Sequence, residues 1–139
     1  MKSFCSYCLI TLFFLISYNL LANELIFEYE TKNQVNVQDL IAATHNADII
    51  LLGEIHDNLF QHRARADLIS KIQRKEFAIV SEHLVFGSEI TYSGSLLEDL
   101  ETIGFNRKAW SWPVHEVLYR KFEELSLPVF GGNLSEKDV

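Results

Sequence analysis

The sequence predicts an α/β fold: a mostly parallel sheet built from βαβ units with flanking helices, and an incomplete domain. Three observations carry this. First, short apolar runs rich in β-branched residues recur, at Ile49–Leu52, Phe77–Ser81 and Leu127–Phe130, and segments of helical period separate them. Second, each run ends in glycine or ionisable residues: Gly53, Glu54 and His56, then Glu82 and His83, then Gly131, Gly132 and Asn133. Strands that release polar groups at their carboxyl ends are the usual layout of a site in a parallel sheet, where connections are right-handed. Third, the chain stops six residues after the third run, at Val139. Three strands do not finish such a sheet, so the expectation is the amino-terminal half of a longer domain.

The elements follow in order. Residues 23–29, NELIFEY, suggest an edge strand or a docked arm. Asn36 is placed to cap a short helix reaching about Ala43, because its side-chain oxygen can accept from free first-turn amides. The stretch DIILLGEIHDNLFQH, residues 48–62, then opens with a strand expected to be fully buried. A helix from about Leu59 to Lys75 follows, with Leu68, Ile69 and Ile72 inward and cations gathered at its far end, where the macrodipole favours them. After the second buried strand, residues 84–95 read as loop. Leu96, Leu97, Leu100 and Ile103 fall at helical spacing, and Gly104 stops that helix. Pro113 suits the first turn of another helix running through Val114, Val117, Leu118, Phe122 and Leu125. Leu134 to Asp138 look like the start of one more.

The amino terminus has a different character. Lys2 is followed by the apolar run LITLFFLISYNLL and by Leu20-Leu21-Ala22, the pattern of a signal peptide with a cleavage site. The alternative is an uncleaved membrane anchor, since about 19 residues lie between Phe4 and Asn23, near the lower limit for a span. The reading is therefore 1–22 signal peptide, 23–35 arm or edge strand, and 36–139 the α/β domain. Export to the periplasm follows from it, or membrane attachment if the signal is retained. Both cysteines, Cys5 and Cys8, lie in the leader, which leaves the domain without disulfide or thiolate sites. Neither stands just after the apolar run, where a lipid-carrying cysteine belongs. The net charge of −7, with no long basic run, argues against nucleic acid as a partner and against adhesion to anionic membranes.

Carboxylates and imidazoles gathered at one sheet edge serve as metal ligands or as general acids and bases. Glu54 and His56 share a side if the turn stays extended, since the strand period is two. The bland reading is that they cap the next helix. His45, in a polar turn, and His115, in the first turn of a helix and expected on the surface, need no special role. Glu123 and Glu124 read as a solvated face.

Taken together, ILLGEIHDN, the helix containing His62, IVSEH, and WSWPVHEVLYRKFEELSLPVFGGNLS resemble the ChaN-like haem-binding uptake family, from about Val37 to Ser135. That family is grouped with the erythromycin esterase-like and Tiki/TraB proteins. The resemblance implies an exported bacterial protein that binds haem, an iron porphyrin, in iron acquisition. Outer-membrane haem-uptake machinery and a second copy of the chain, as a homodimer, are the further partners it suggests. Residues carried over by motif are Glu54, His56, Asp57, Asn58, His62 and Glu82, with His83 adjoining them. Tyr119 or Tyr92 is a candidate iron ligand, since a tyrosine oxygen is one of the known haem attachments. Trp110 and Trp112 could stack on a porphyrin, although a tryptophan so placed is more often core. Two positions depart from the usual form: Glu82-His83 stands where Glu-Met is common, and Gln61-His62 where two histidines are. Two other readings stay open. One is a metal-dependent hydrolase, with Glu54, His56 and Glu82 holding a divalent ion. The other is an inactive truncated fragment.

Overall fold

A computed structural model describes residues 25–72 and 76–134. The expected signal peptide, the carboxyl end of the expected Leu59–Lys75 helix and the helix expected after Leu134 fall wholly or largely outside them. The chain divides into two units, residues 1–36 and 37–139.

In the first unit, β1 (Ile26–Phe27) pairs antiparallel with β2 (Gln34–Val35) as a short hairpin, in the register Ile26 to Val35. Its turn is closed by the Glu28 amide on the Asn33 carbonyl at 2.9 Å, with Lys32 left-handed at φ 60°. The expected arm or edge strand is thus half of a hairpin.

The second unit contains α1 (Val37–Thr44), α2 (Leu59–Lys71), β3 (Ile79–Val85), α3 (Leu96–Thr102), α4 (Trp112–Glu124) and β4 (Val129–Asn133). β3 and β4 are parallel neighbours, Ile79 beside Val129 and Ser81 beside Gly131, and the crossover between them carries α3 and α4. The class is mixed α/β, as the alternation of strand and helix patterns implied. α2 and α4 pack on each other, and the core gathers Leu84, Leu100, Leu118, Tyr119, Phe122 and Val129. Burying each such side chain stabilises the fold by roughly 1.5–3 kcal/mol.

Local chemistry fixes the boundaries. The Asn58 side chain caps α2 by accepting from the Gln61 amide at 3.1 Å. α2 ends at Lys71, short of Lys75, because Ile72 leaves the helix with ψ 105° and turns inward. Gly104, at φ 94°, follows α3 in the left-handed conformation that glycine takes without strain. A Cβ on Gly131 would lie 1.8 Å from the Val85 carbonyl oxygen, so only glycine lets β4 approach the irregular end of β3.

Two expectations are corrected here. Ile49–Leu52 forms no hydrogen-bonded strand, and Ile49 and Leu51 are 79% and 90% exposed. The expected βαβ pairing through α2 is therefore not made, and the parallel pair forms across α3 and α4 instead. β3 is also buried on one side only: Ser81 and His83 face inward, while Val80 is 71% exposed. Helices cover one face of the sheet among the described residues. An apolar run cannot by itself say whether one face or both will be covered. No described helix is long and apolar enough to cross a membrane.

Candidate functional site

Glu54 is the hub of the second unit. It lies just beyond the Ile49–Leu52 run, and its side chain is 2% exposed. Its Oε1 faces three imidazoles: His56 Nδ1 at 2.8 Å, His83 Nε2 at 2.8 Å and His115 Nε2 at 3.2 Å. Its Oε2 is paired with the Arg65 guanidinium and lies 3.5 Å from His62 Nδ1.

Each partner arrives by a separate route. Arg65 and His62 sit on the inner stripe of α2 with Ala66 and Ile69. His83 points inward from β3 because it alternates with exposed Glu82. His115 shares the buried face of α4 with Leu118, Tyr119 and Phe122, one helical stripe at i, i+3, i+4 and i+7. The His115 side chain is fully buried, so its expected surface position is corrected. The signal that locates it was that stripe: a histidine in phase with three large core side chains belongs to the core face.

A second layer orients these groups. His83 Nδ1 lies 3.2 Å from both Ser81 Oγ and Tyr119 Oη, which are 2.7 Å apart. His62 Nε2 lies 3.0 Å from the His56 carbonyl and ties the loop to α2. The Gln61 side chain accepts from the Ile55 amide at 2.7 Å and fixes the same loop. Trp110 sets its ring edge-on to both His83 and His56, at 4.6 and 4.9 Å between centroids.

The electrostatics keep the inner imidazoles neutral. Burial, with His115, Arg65 and other imidazoles nearby, holds His83 down to about 3. Burial and then His62 hold His115 down to about 4. One carboxylate already paired with Arg65 cannot also compensate two imidazolium ions. Neutral imidazole is the form that ligates metal. Burial also lowers the Arg65 pKa, with Glu82 opposing.

The remaining sequence candidates are distributed unevenly. Glu54, His56, His62 and His83 come together. Glu82 is on the exposed side of β3, its carboxylate 3.9 Å from His56 Nδ1. Asn58 is occupied in capping α2, and Asp57 is exposed in the preceding turn. Asn133 ends β4 exposed, its carbonyl accepting from the Phe86 amide at 2.9 Å. Trp110 and Trp112 are both partly buried against the core; Trp112 packs on Phe105 at 5.6 Å, and Trp110 also borders the cluster through His83 and His56. Tyr92 donates to the Leu127 carbonyl at 3.1 Å, away from Glu54, and burial and Glu123 push it up to about 12. Tyr119 reaches the cluster, but its hydroxyl is enclosed and burial raises its pKa well above the ordinary phenol. His115, Arg65 and Ser81 are the members that sequence reasoning did not place here.

A family model described as haem-binding uptake, Tiki superfamily, ChaN, matches residues 40–139. The chain belongs to this family. No curated protein and no solved structure matches it. Membership brings haem in as the ligand class, and the residues present fit it on one side only. Facing donor atoms of Glu54, His56, His83 and His115 lie within 4.8 Å of one another, and His83 and His115 are buried. That interior is the size of a single ion. At the mouth of the cluster the His56 side chain is 51% exposed beside Trp110.

Proposed function

We propose that the protein is an exported haem-binding protein acting in haem and iron uptake, and that it receives the porphyrin at the mouth of the Glu54 cluster through His56. Family membership supplies the ligand class. One observation carries the site: His56 is the outward-facing imidazole of the cluster, while its other ring nitrogens turn inward. Exposed Ile55 and Phe60 flank it in the chain and provide apolar surface of the kind a porphyrin covers. When bound, haem would supply the iron and the chemistry belonging to it. This chain's residues position the ligand. Glu54 holds His56 Nδ1 at 2.8 Å and so turns Nε2 outward, and Trp110 limits the ring's rotation. Export rests on the leader pattern of residues 1–22. Outer-membrane uptake machinery and a second copy of the chain are the partners that fit this role.

The test is an absorbance titration of hemin into the folded protein. Saturable binding with a Soret shift is expected, lost or altered in His56→Ala and unchanged in His45→Ala, whose side chain is exposed after α1. Equal behaviour of the two variants would remove the reason for placing haem at the cluster.

A further inference from the structure

The two strands of the parallel pair differ at their outer edges. The far edge of β4 is met by the segment after β3: the Ile90 amide donates to the Val129 carbonyl at 3.0 Å, and the Gly131 amide to the Ser88 carbonyl at 2.9 Å. On β3 the Ile79 amide donates toward β4, to the Pro128 carbonyl at 2.8 Å. Successive peptide groups of an extended strand point to opposite edges, so Val80 turns its N–H and C=O away from β4. No described strand pairs with that edge. Beside it runs Ile49–Leu52, whose burial alternates residue by residue as in an extended chain, and which is paired with no strand either. Between the two lies a groove of about 340 Å³. Ala78–His83 form one bank, Ile50–Gly53 the other, and Ile69, Leu118 and Phe122 of α2 and α4 lie at its base.

We propose that this groove takes an extended peptide segment of another protein, apolar in sequence and flanked by basic residues, which adds a strand between β3 and the Ile49–Leu52 run. The hydrogen-bonding pattern identifies the occupant as polypeptide. Only an extended backbone presents donors and acceptors along both of its edges at strand spacing, and an open sheet edge is a template for it. Side chains of alternate sign then sort themselves. Those turned inward meet Ile69, Leu118 and Phe122, and those turned outward lie beside Leu51 and Val80, which otherwise stand 90% and 71% exposed to water. Charge identifies the flanks. The chain carries a net charge of −7, and Glu82 lines the groove and is exposed. Arg65, the cation in the lining, is already paired with Glu54. Basic flanks are therefore attracted, whereas a second copy of the chain brings the same negative charge. The inference is independent of haem binding, since neither His56 nor Trp110 lines the groove.

The experiment uses the full chain and a fluorescein-labelled probe peptide, Arg-Arg-Val-Thr-Val-Val-Thr-Arg, followed by fluorescence anisotropy. The same peptide methylated on alternate backbone nitrogens is the control, because it keeps every side chain and loses the donors of one edge. Saturable binding of the first peptide is expected, with slowed amide exchange at residues 50–53 and 78–83. The methylated peptide should bind more weakly by at least about tenfold, the scale of one lost hydrogen bond. Val80→Pro removes the amide that faces the groove and takes no bond from the ladder to β4, a position where an edge strand tolerates proline. It should weaken binding by a similar factor. No saturable binding to wild-type protein with native circular dichroism overturns the proposal. Equal affinity for the two peptides does so too, as does exchange protection that leaves both banks unchanged. Should Val80→Pro not fold, the methylated peptide and the exchange pattern on wild type decide. Sedimentation of the unliganded chain covers the other occupant: self-association that the peptide reverses would assign the groove to a second copy and overturn the proposal.

Discussion

Two buried carboxylates, Glu54 and Asp99, are satisfied in opposite ways. Asp99, in the first turn of α3, is met by one residue six positions earlier: it accepts from the Ser93 amide at 2.8 Å and from the Ser93 hydroxyl. Those donors are local and neutral, and they match what the carboxylate can accept. Ser93, first through its hydroxyl and then its amide, holds the Asp99 pKa below the ordinary carboxylate value. Glu54 draws His56 from its own loop and an arginine and three imidazoles from three other parts of the chain, and together they exceed its capacity. The contrast separates a carboxylate that pins a loop from one that organises a site. Local, matched and neutral partners mean structure. Distant, surplus and ionisable partners point to chemistry, since a fold has no structural reason to bury three imidazoles and draw in an arginine around one oxygen pair.

The sharpest way to break the comparison is to remove each carboxylate's charge. Glu54→Gln strands the Arg65 guanidinium and frees the imidazoles, so it should cost about 3–5 kcal/mol of stability, the range for breaking a buried pair. It should also weaken hemin binding, because Glu54 orients His56. Asp99→Asn should lower the denaturation midpoint by less and leave hemin binding intact. Urea titrations of both variants check this. If Asp99→Asn disturbed ligand binding as much as Glu54→Gln does, the distinction would fail.

The next effect is on pH. In the folded protein burial first, and then neighbouring charge, hold His83 down to about 3 and His115 down to about 4, against about 6.5 unfolded. The unfolded chain therefore binds more protons between these values. Stability from keeping both neutral is fully present above about 6.5 and is lost as pH falls toward 4. The Asp99 contribution behaves differently: it is present above the unfolded carboxylate value of about 3.9 and fades only as pH falls below it. Urea midpoints falling between pH 7 and pH 5, with less of a fall in His83→Met, are expected. A flat profile across that interval would mean that the imidazoles are not held neutral by the fold.

The comparison also explains what the sequence could disclose. His83 was legible because period-two alternation in β3 turns it inward, while Glu54 and His56 stood out through the ordered motifs that placed the chain in its family and not through a strand, since Ile49–Leu52 forms none. Asp99 and Ser93 were not, because a six-residue loop contact has no periodic signature. His115 was missed for another reason. Its position in a first turn suggested solvent, but the helix phase set by Leu118, Tyr119 and Phe122 turns it inward. The exposed Ile49–Leu52 run shows the limit in the other direction. Apolar composition proposes a buried strand, but burial depends on which partners the rest of the fold brings.

The smallest effect tests whether Tyr119 belongs with the site or with its support. Its hydroxyl joins Ser81 at 2.7 Å and His83 at 3.2 Å beneath the ligand atoms, so Tyr119→Phe removes one buried hydrogen-bonding group and little volume. A cost of about 1 kcal/mol is expected. If Tyr119 only orients His83, the hemin spectrum stays as in wild type. If its oxygen were on the haem iron, the charge-transfer region of the hemin complex would change instead. That outcome requires an enclosed hydroxyl, with a pKa raised by burial, to give up its proton and leave Ser81. The energetics favour the supporting role, because desolvation penalises the phenolate that an iron–oxygen bond needs and leaves the neutral hydroxyl free to hold the imidazole in place.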